Sequence, residues 1–217
     1  DLLPLAALSL TEHAETITVQ EICDYATYAD AEFTGVSFGF GQPPTHQPPL
    51  FIPGVLASIW GGTVRMLADR LGVQLDEIRE HVEPWVTDEP IDCTMMRVEP
   101  GQVAAIRFAV EGIVGGEPRI IVEHITRIHP SCAPDWPMPP DGGDGAHKVI
   151  IEGRPRIEFN VEATDEGGNR AAGGNATAVG RLVNAIEWLH RAGPGVYDAL
   201  DVPLVPASGR LRRSAAT

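Results

Sequence analysis

Residues 103–128 read VAAIRFAVEGIVGGEPRIIVEHITRI, and this run decides the fold. In its first part Ile106, Phe108 and Val110 fall on one side of an extended chain, with Arg107 and Glu111 on the other, which is the period of a strand. The turn Val114-Gly115-Gly116-Glu117 suits a hairpin. The return, Arg119–Ile128, places Ile120, Val122, His124, Thr126 and Ile128 on one face and Arg119, Ile121, Glu123, Ile125 and Arg127 on the other. That second face is mixed, so it is half covered at most. Strands joined by so tight a turn are antiparallel neighbours.

The flanking segments extend the sheet. Thr16–Ile22 alternates, is rich in β-branched residues and reads as a strand. His147–Glu152, the turn Gly153-Arg154-Pro155 and Arg156–Val161 form a second hairpin, and Asp92–Val98 is a further candidate strand. Helical spacing covers 52–71, with Ile52, Leu56, Ile59, Trp60, Thr63, Met66, Leu67 and Leu71 on one side and Gly72 as C-cap. Leu75–His81 reads as a short second helix, and 31–50 and 130–145, both rich in proline and glycine, as long loops. Near the C-terminus Gly173-Gly174 reads as a tight turn opening a helix with Val179, Leu182, Val183, Ile186 and Leu189 as its buried face, stopped at Gly193-Pro194-Gly195. A glycine-rich entry would leave helix N–H groups open to an anion or a carbonyl; the plain alternative is an ordinary amphipathic helix. The expected class is α+β, with helices on one face of a mostly antiparallel or mixed sheet.

Composition narrows function. With 217 residues of which 43% are hydrophobic, the chain can bury a full core. Its formal charge of −14 repels nucleic acid and anionic membrane surfaces. Three distant cysteines, Cys23, Cys93 and Cys132, form no Cys-x-x-Cys pattern, and no run is long enough to cross a bilayer, so a reducing cytoplasm is the expected compartment. The basic run Arg210-Leu211-Arg212-Arg213 reads as a solvated tail.

Candidate chemistry is sparse. No strand leads into Gly-x-Gly-x-x-Gly, no Walker A sequence occurs, and Gly142-Gly143-Asp144-Gly145 stands in a proline-rich loop, the wrong context for a phosphate. The seven histidines show no metal-ligand spacing, so no metal is expected, and His124 reads as a core or pocket-wall residue. Cys23 has nothing beside it to lower its pKa and reads as inert. The informative grouping is aromatic: of six Phe, four Trp and three Tyr, five (Tyr25, Tyr28, Phe33, Phe38 and Phe40) fall between residues 25 and 40. Such a segment past a strand end either lines an apolar pocket or anchors the loop.

Several segments resemble one family. Val19-Gln20-Glu21-Ile22-Cys23-Asp24-Tyr25-Ala26-Thr27-Tyr28 resembles the Glu-Ile-x-Asp-Tyr-x-x-Tyr segment of the 2,4-diaminopentanoate dehydrogenase and native amine dehydrogenase family. So do, in order, Val122–Arg127, Ala133–Pro137, Ile151–Pro155, Thr177-Ala178, Val183–Ile186, Pro194-Gly195 and Asp201–Leu204. The resemblance implies the second domain of a dihydrodipicolinate reductase-like architecture, whose N-terminal Rossmann domain binds NAD or NADP and carries the catalytic carboxylate. On this reading residues 1–217 are a single substrate-binding and dimerisation domain, the Rossmann domain lies outside the chain, and no catalytic residue is expected within it. Tyr25, Tyr28, Phe40 and His124 are then expected at the substrate, and Asn175 and Thr177 near the nicotinamide. The implied partners are a small carbonyl or amine, the Rossmann domain and a second copy. The basic His-His/Lys segment of dihydrodipicolinate reductase itself does not occur, which sets an imine reductase of that type behind an amine dehydrogenase. A stand-alone, non-enzymatic dimeric ligand-binding module is the remaining alternative.

Overall fold

A computed structural model describes residues 2–208. The basic run at 210–213 lies outside the described residues. In chain order the elements are α1 (Leu2–Leu8), β1 (His13–Asp24), a π-helical turn (Ala31–Gly35) running into α2 (Val36–Phe38), a 3-10 turn (Pro49–Phe51), α3 (Val55–Leu71), β2 (Glu77–Val86), β3 (Ile91–Asp92), β4 (Arg97–Val98), β5 (Val103–Val114), β6 (Glu117–Arg127), a second 3-10 turn (Pro140–Gly142), β7 (Gly145–Arg154), β8 (Ile157–Val161) and α4 (Arg170–Arg191).

Six strands form one sheet in the order β2-β5-β6-β1-β7-β8. Every neighbouring pair is antiparallel except β1 with β6, which is parallel. The α+β class with a mixed sheet is therefore as expected. Gly115 and Gly116 both take positive φ, 63° and 82°, as the primed hairpin turn between β5 and β6 requires.

The registers define two faces. Ile78, Val110, Val122, Val19, Val149 and Phe159 belong to the first, and it is here that the helices pack. α3 lies over β5 and β6, and a Cβ at Gly112 would fall 2.6 Å from Val64 Cγ1 and 2.9 Å from Leu75 Cδ2, so the missing side chain sets how closely α3 approaches. Glu80 of β2 caps α3 from across the gap, accepting the amides of Gly54 (3.0 Å) and Ala57 (2.7 Å). α1 and the start of α4 cover Val19, His147 and Val161 of the same face. The second face carries a buried polar network in which Glu123 accepts from Gln20 and, at 2.6 Å, from Arg107 Nε.

Five local expectations are corrected. Leu75–His81 is not a helix: residues 77–86 form the edge strand β2, because Ile78 and Val82, which mimic helical spacing, are also two strand periods apart, and pairing with β5 decides between the two. Asp92–Val98 splits into the two-residue strands β3 and β4, a hairpin outside the main sheet. Residues 31–38 are helical rather than loop, with Asp30 accepting Phe33 N (3.1 Å) and Thr34 Oγ1 (3.0 Å). α4 starts at Arg170, not after a turn at Gly173-Gly174. A Cβ at Gly173 would fall 2.2 Å from the carbonyl oxygen of Ala163, so this glycine serves close packing, not a turn. The expected buried face of α4 is also open: Val179, Leu182, Val183, Ile186 and Leu189 are all exposed, Leu182 by 70%.

Gly112→Ala forces Val64 or Leu75 away from the sheet. A loss of about 1–3 kcal/mol is expected, read as a lowered urea midpoint with unchanged slope.

Candidate functional site

β1 ends at Asp24, and the backbone there is held from several sides. Asp24 Oδ1 accepts Ala26 N (2.8 Å), Tyr25 N donates to the carbonyl of Arg127 (2.7 Å), and Tyr28 N donates to the carbonyl of Tyr25 (2.9 Å). The turn brings the rings of Tyr25 and Tyr28 to 5.2 Å centroid separation. Beside them a pocket of about 200 Å³ opens between the end of β1, the start of β7, the end of β8 and the first turns of α4. Glu21, Tyr25, Tyr28, His147, Arg170 and Asn175 supply its polar and aromatic lining.

The α4 side is fixed by its cap. Asn169 Oδ1 accepts Ala172 N (2.8 Å), and Asp144 Oδ1 accepts Arg170 N (3.2 Å). These carboxylate and amide oxygens occupy helix N–H groups that the sequence reading left open to an anion. Arg170 is spent as well: it pairs with Glu162 (2.9 Å) and donates to the carbonyl of Pro140 (3.0 Å). Asn175 Nδ2 donates to Tyr28 Oη at 3.4 Å, so α4 and the aromatic turn meet across the pocket mouth.

The expected site residues separate into three groups. Tyr25, Tyr28 and Asn175 come together at the pocket. Phe40 does not reach it: its ring is 2% exposed, stacked on Phe38 (5.5 Å) and edge-on to Tyr25 (6.4 Å), behind the pocket wall. Thr177 is turned away, because two residues along a helix rotate a side chain by roughly 200°. Its hydroxyl donates to the carbonyl of Gly174 (2.7 Å), and it borders an apolar groove with Leu2, Leu3, Pro4 and Val19. Neither Asn175 nor Thr177 stands at the helix start as expected; both lie in its second turn.

His124 reaches the pocket through Glu21. Its ring stacks on Phe108 (4.8 Å, 3°), lies 4.6 Å from Trp60, and places Nδ1 3.3 Å from Glu21 Oε2. The register sets Glu21 opposite His124 on β6 and opposite His147 on β7, so three titratable side chains stand in one row across three strands. Glu21 and His147 were missed because only the pairing of β1 with β6 and β7 reveals them; alternation put Glu21 on a face without naming its neighbours. Burial pushes the Glu21 carboxyl upward, but the hydrogen bond and charge of His124, with the charge of His147, hold it below its ordinary value. Burial raises the Cys23 thiol to about 12 and raises the Tyr25 phenol as well, so the thiol is inert, as expected, and the phenol neutral. Among the described residues no group of three or more His, Cys, Asp or Glu could hold a metal.

With this geometry in view, the comparisons with known proteins decide the family. The model of the 2,4-diaminopentanoate dehydrogenase C-terminal domain matches residues 5–215. The chain belongs to that family. It is 58% identical over 214 residues to an amine dehydrogenase of Streptomyces virginiae, covering 98% of this chain and 59% of the relative. It is 29% identical over 143 residues to 2,4-diaminopentanoate dehydrogenase of Acetoanaerobium sticklandii, covering 65% of this chain and 36% of the relative. The chain thus spans less than two thirds of the relatives it matches. The solved amine dehydrogenase of Mycobacterium smegmatis shares the fold with a TM-score of 0.57 at 14% identity, over 94% of this chain and 56% of that one. Among the described residues no helix is long and apolar enough to cross a membrane.

A carboxylate held below its ordinary pKa stabilises the fold above that ordinary value, and the contribution is lost as pH falls through the folded value. Glu21→Gln should therefore flatten the acid limb of the melting temperature between about pH 5 and 3. The effect is modest, since the Glu21 side chain is 43% exposed.

Proposed function

We propose that this chain is the substrate-binding and dimerisation part of an NAD(P)-dependent oxidoreductase that reductively aminates a carbonyl or, in reverse, oxidatively deaminates an amine. The observation that carries the reading is the pocket at the end of β1, where Tyr25, Tyr28, Glu21 and Asn175 meet, in a chain of the diaminopentanoate dehydrogenase family. Tyr25 and Tyr28 give the substrate an aromatic wall, with the Tyr28 hydroxyl at the pocket mouth. His124 supports that wall through Glu21, and Phe40 backs it through Tyr25.

The residues present fit one end of a dinucleotide. The Asn175 amide and Tyr28 hydroxyl can meet a nicotinamide carboxamide at the pocket mouth. A pyrophosphate has no counterpart: the sequence holds no strand followed by Gly-x-Gly-x-x-Gly, and Asn169 and Asp144 occupy N–H groups at the start of α4. The nucleotide therefore takes its phosphate contacts from a further domain, and the exposed stripe of α4 and the groove beside it, lined by Leu2, Leu3, Thr177 and Leu182, suit contact with that domain. When bound, the nicotinamide supplies the hydride. The second sheet face, with Thr18, Ile121 and Ile150 only partly covered beside the Arg107–Glu123 pair, is the surface assigned to a second copy.

Assayed with the family's nucleotide-binding domain, the protein should consume NADH or NADPH only when a ketone or aldehyde and ammonia are both present. No turnover across a broad carbonyl panel sinks the reading. Asn175→Ala should raise the KM for the nucleotide about tenfold, the worth of one hydrogen bond. Sedimentation should give a dimer at micromolar concentration, and a monomer throughout would remove the second copy from the assignment.

A further inference from the structure

The row His124–Glu21–His147 crosses the middle of the helix-covered sheet face. Continuing it outward along the registers gives Phe108 and Val82 on one side and Val161 on the other. A carboxylate in such a row costs solvation free energy unless it is paired. Among the described residues its hydrogen-bond partner is His124 Nδ1, on Oε2; Oε1 has none and is not buried. The same side chain lines the pocket and keeps 43% of its exposure there.

Among the residues that line the pocket Glu21 is the one carboxylate, with His147 beside it on β7. Arg170 is already paired with Glu162 and the carbonyl of Pro140. The Tyr25 phenol and Cys23 thiol hold their protons. The same pocket is lined by two aromatic side chains, Tyr25 and Tyr28, with ring centroids 5.2 Å apart. A carboxylate together with electron-rich rings in a half-enclosed pocket is the chemistry that holds an organic ammonium, through an ion pair on one side and cation–π contact on the other. The chain's charge of −14 draws cations toward such a site.

We infer that Glu21, oriented by His124 in a pocket it shares with Tyr25 and Tyr28, is the specificity residue of this pocket and binds an ammonium nitrogen. This rests on the amine reading above and deepens it: the pocket selects for cationic nitrogen and against neutral isosteres. The nitrogen can belong to the amine substrate or to free ammonium, since both present the same N–H donors to the carboxylate.

The test needs no turnover, so it separates this site from the proposed activity. The whole chain is titrated at pH 7.5 and constant ionic strength with sec-butylammonium, with the neutral isostere 2-butanol and with ammonium chloride, potassium chloride serving as control. Binding is read from the Glu21 Cδ and the His124 and His147 ring signals by NMR. sec-Butylammonium is expected to bind at least tenfold more tightly than 2-butanol and to move the Glu21 Cδ signal. Ammonium chloride matching sec-butylammonium assigns the site to free ammonium; a weaker response assigns it to the amine. The preference should collapse toward unity in Glu21→Gln and survive, reduced, in Glu21→Asp. Equal affinity for the cation and the alcohol in the unaltered chain overturns the inference, as does no response to either ammonium probe, or a preference that persists in Glu21→Gln. If Glu21→Gln fails to fold, the unaltered chain still decides, because a cation that binds without moving Glu21 Cδ is bound elsewhere.

Discussion

The position of β1 governs the molecule. It lies inside the sheet, parallel to β6 and antiparallel to β7, and its register is fixed on both sides from Ile17 to Cys23. Side chains on a strand alternate between faces, so a slip of one residue would exchange the two sets completely. In the observed register Ile17, Val19, Glu21 and Cys23 face the helices, while Thr18, Gln20 and Ile22 face the other way. Two polar rows follow at adjacent levels: His124–Glu21–His147 on the helix side, and Glu123–Gln20–Lys148 on the open side. The slip would place Gln20 against Trp60 and Phe108 and move Glu21 away from the pocket. Ile17 and Ile22, both almost fully buried, lie on opposite faces and hold the register from both sides.

A second device links the two loops that frame the pocket. Arg127 ends β6 and is 1% exposed, yet no carboxylate pairs with it among the described residues. Its guanidinium donates instead to the carbonyls of Cys132, Ala133, Trp136 and Pro137, at 2.8–3.4 Å. Burial lowers its pKa from the ordinary arginine value, with the charge of Asp24 acting in the opposite direction. Four carbonyl dipoles replace the hydration that the cation has lost, and no acid is needed. The carbonyl of Arg127 also receives Tyr25 N (2.7 Å), while the loop beyond it ends at Asp144, which caps α4. One residue thus ties the aromatic turn, through its carbonyl, to the proline-rich loop, through its guanidinium.

What the sequence revealed, and what it hid, follows the range of the interactions concerned. The β5–β6 hairpin was legible because its turn glycines and its alternation lie within a few residues of each other. The aromatic turn was legible as a cluster, but Phe40 could not be told from Tyr28 without knowing which side of the turn faced the core. β2 was misread because a helix and an edge strand both accept Ile78 and Val82, and the partner that decides, β5, lies some 25 residues away. Gly173-Gly174 was misread for a related reason. A glycine pair marks a turn when the backbone bends and a close approach when it does not, and here the object approached is the chain at Ala163 and Thr164. Glu21 carried a local signal only as part of a family resemblance; its meaning depends on His124, about a hundred residues distant, and on His147.

α4 shows the same logic at a larger scale. Its apolar stripe from Val179 to Leu189 has the spacing of a buried face, and the spacing is a faithful record of chemistry rather than of this chain's own core. A helix free to evolve against water alone would lose that stripe, since each large apolar side chain left exposed forgoes about 1.5–3 kcal/mol of burial. The helix is nevertheless well anchored at its start, by Asn169, by Asp144 and by the close approach at Gly173. Farther along, Arg181 donates to the carbonyls of Val202 and Pro203 and holds the returning chain against it. A fixed helix with an uncovered apolar face is a prepared surface. It begins at the pocket that holds Asn175, so whatever covers the stripe also comes to stand beside the pocket mouth.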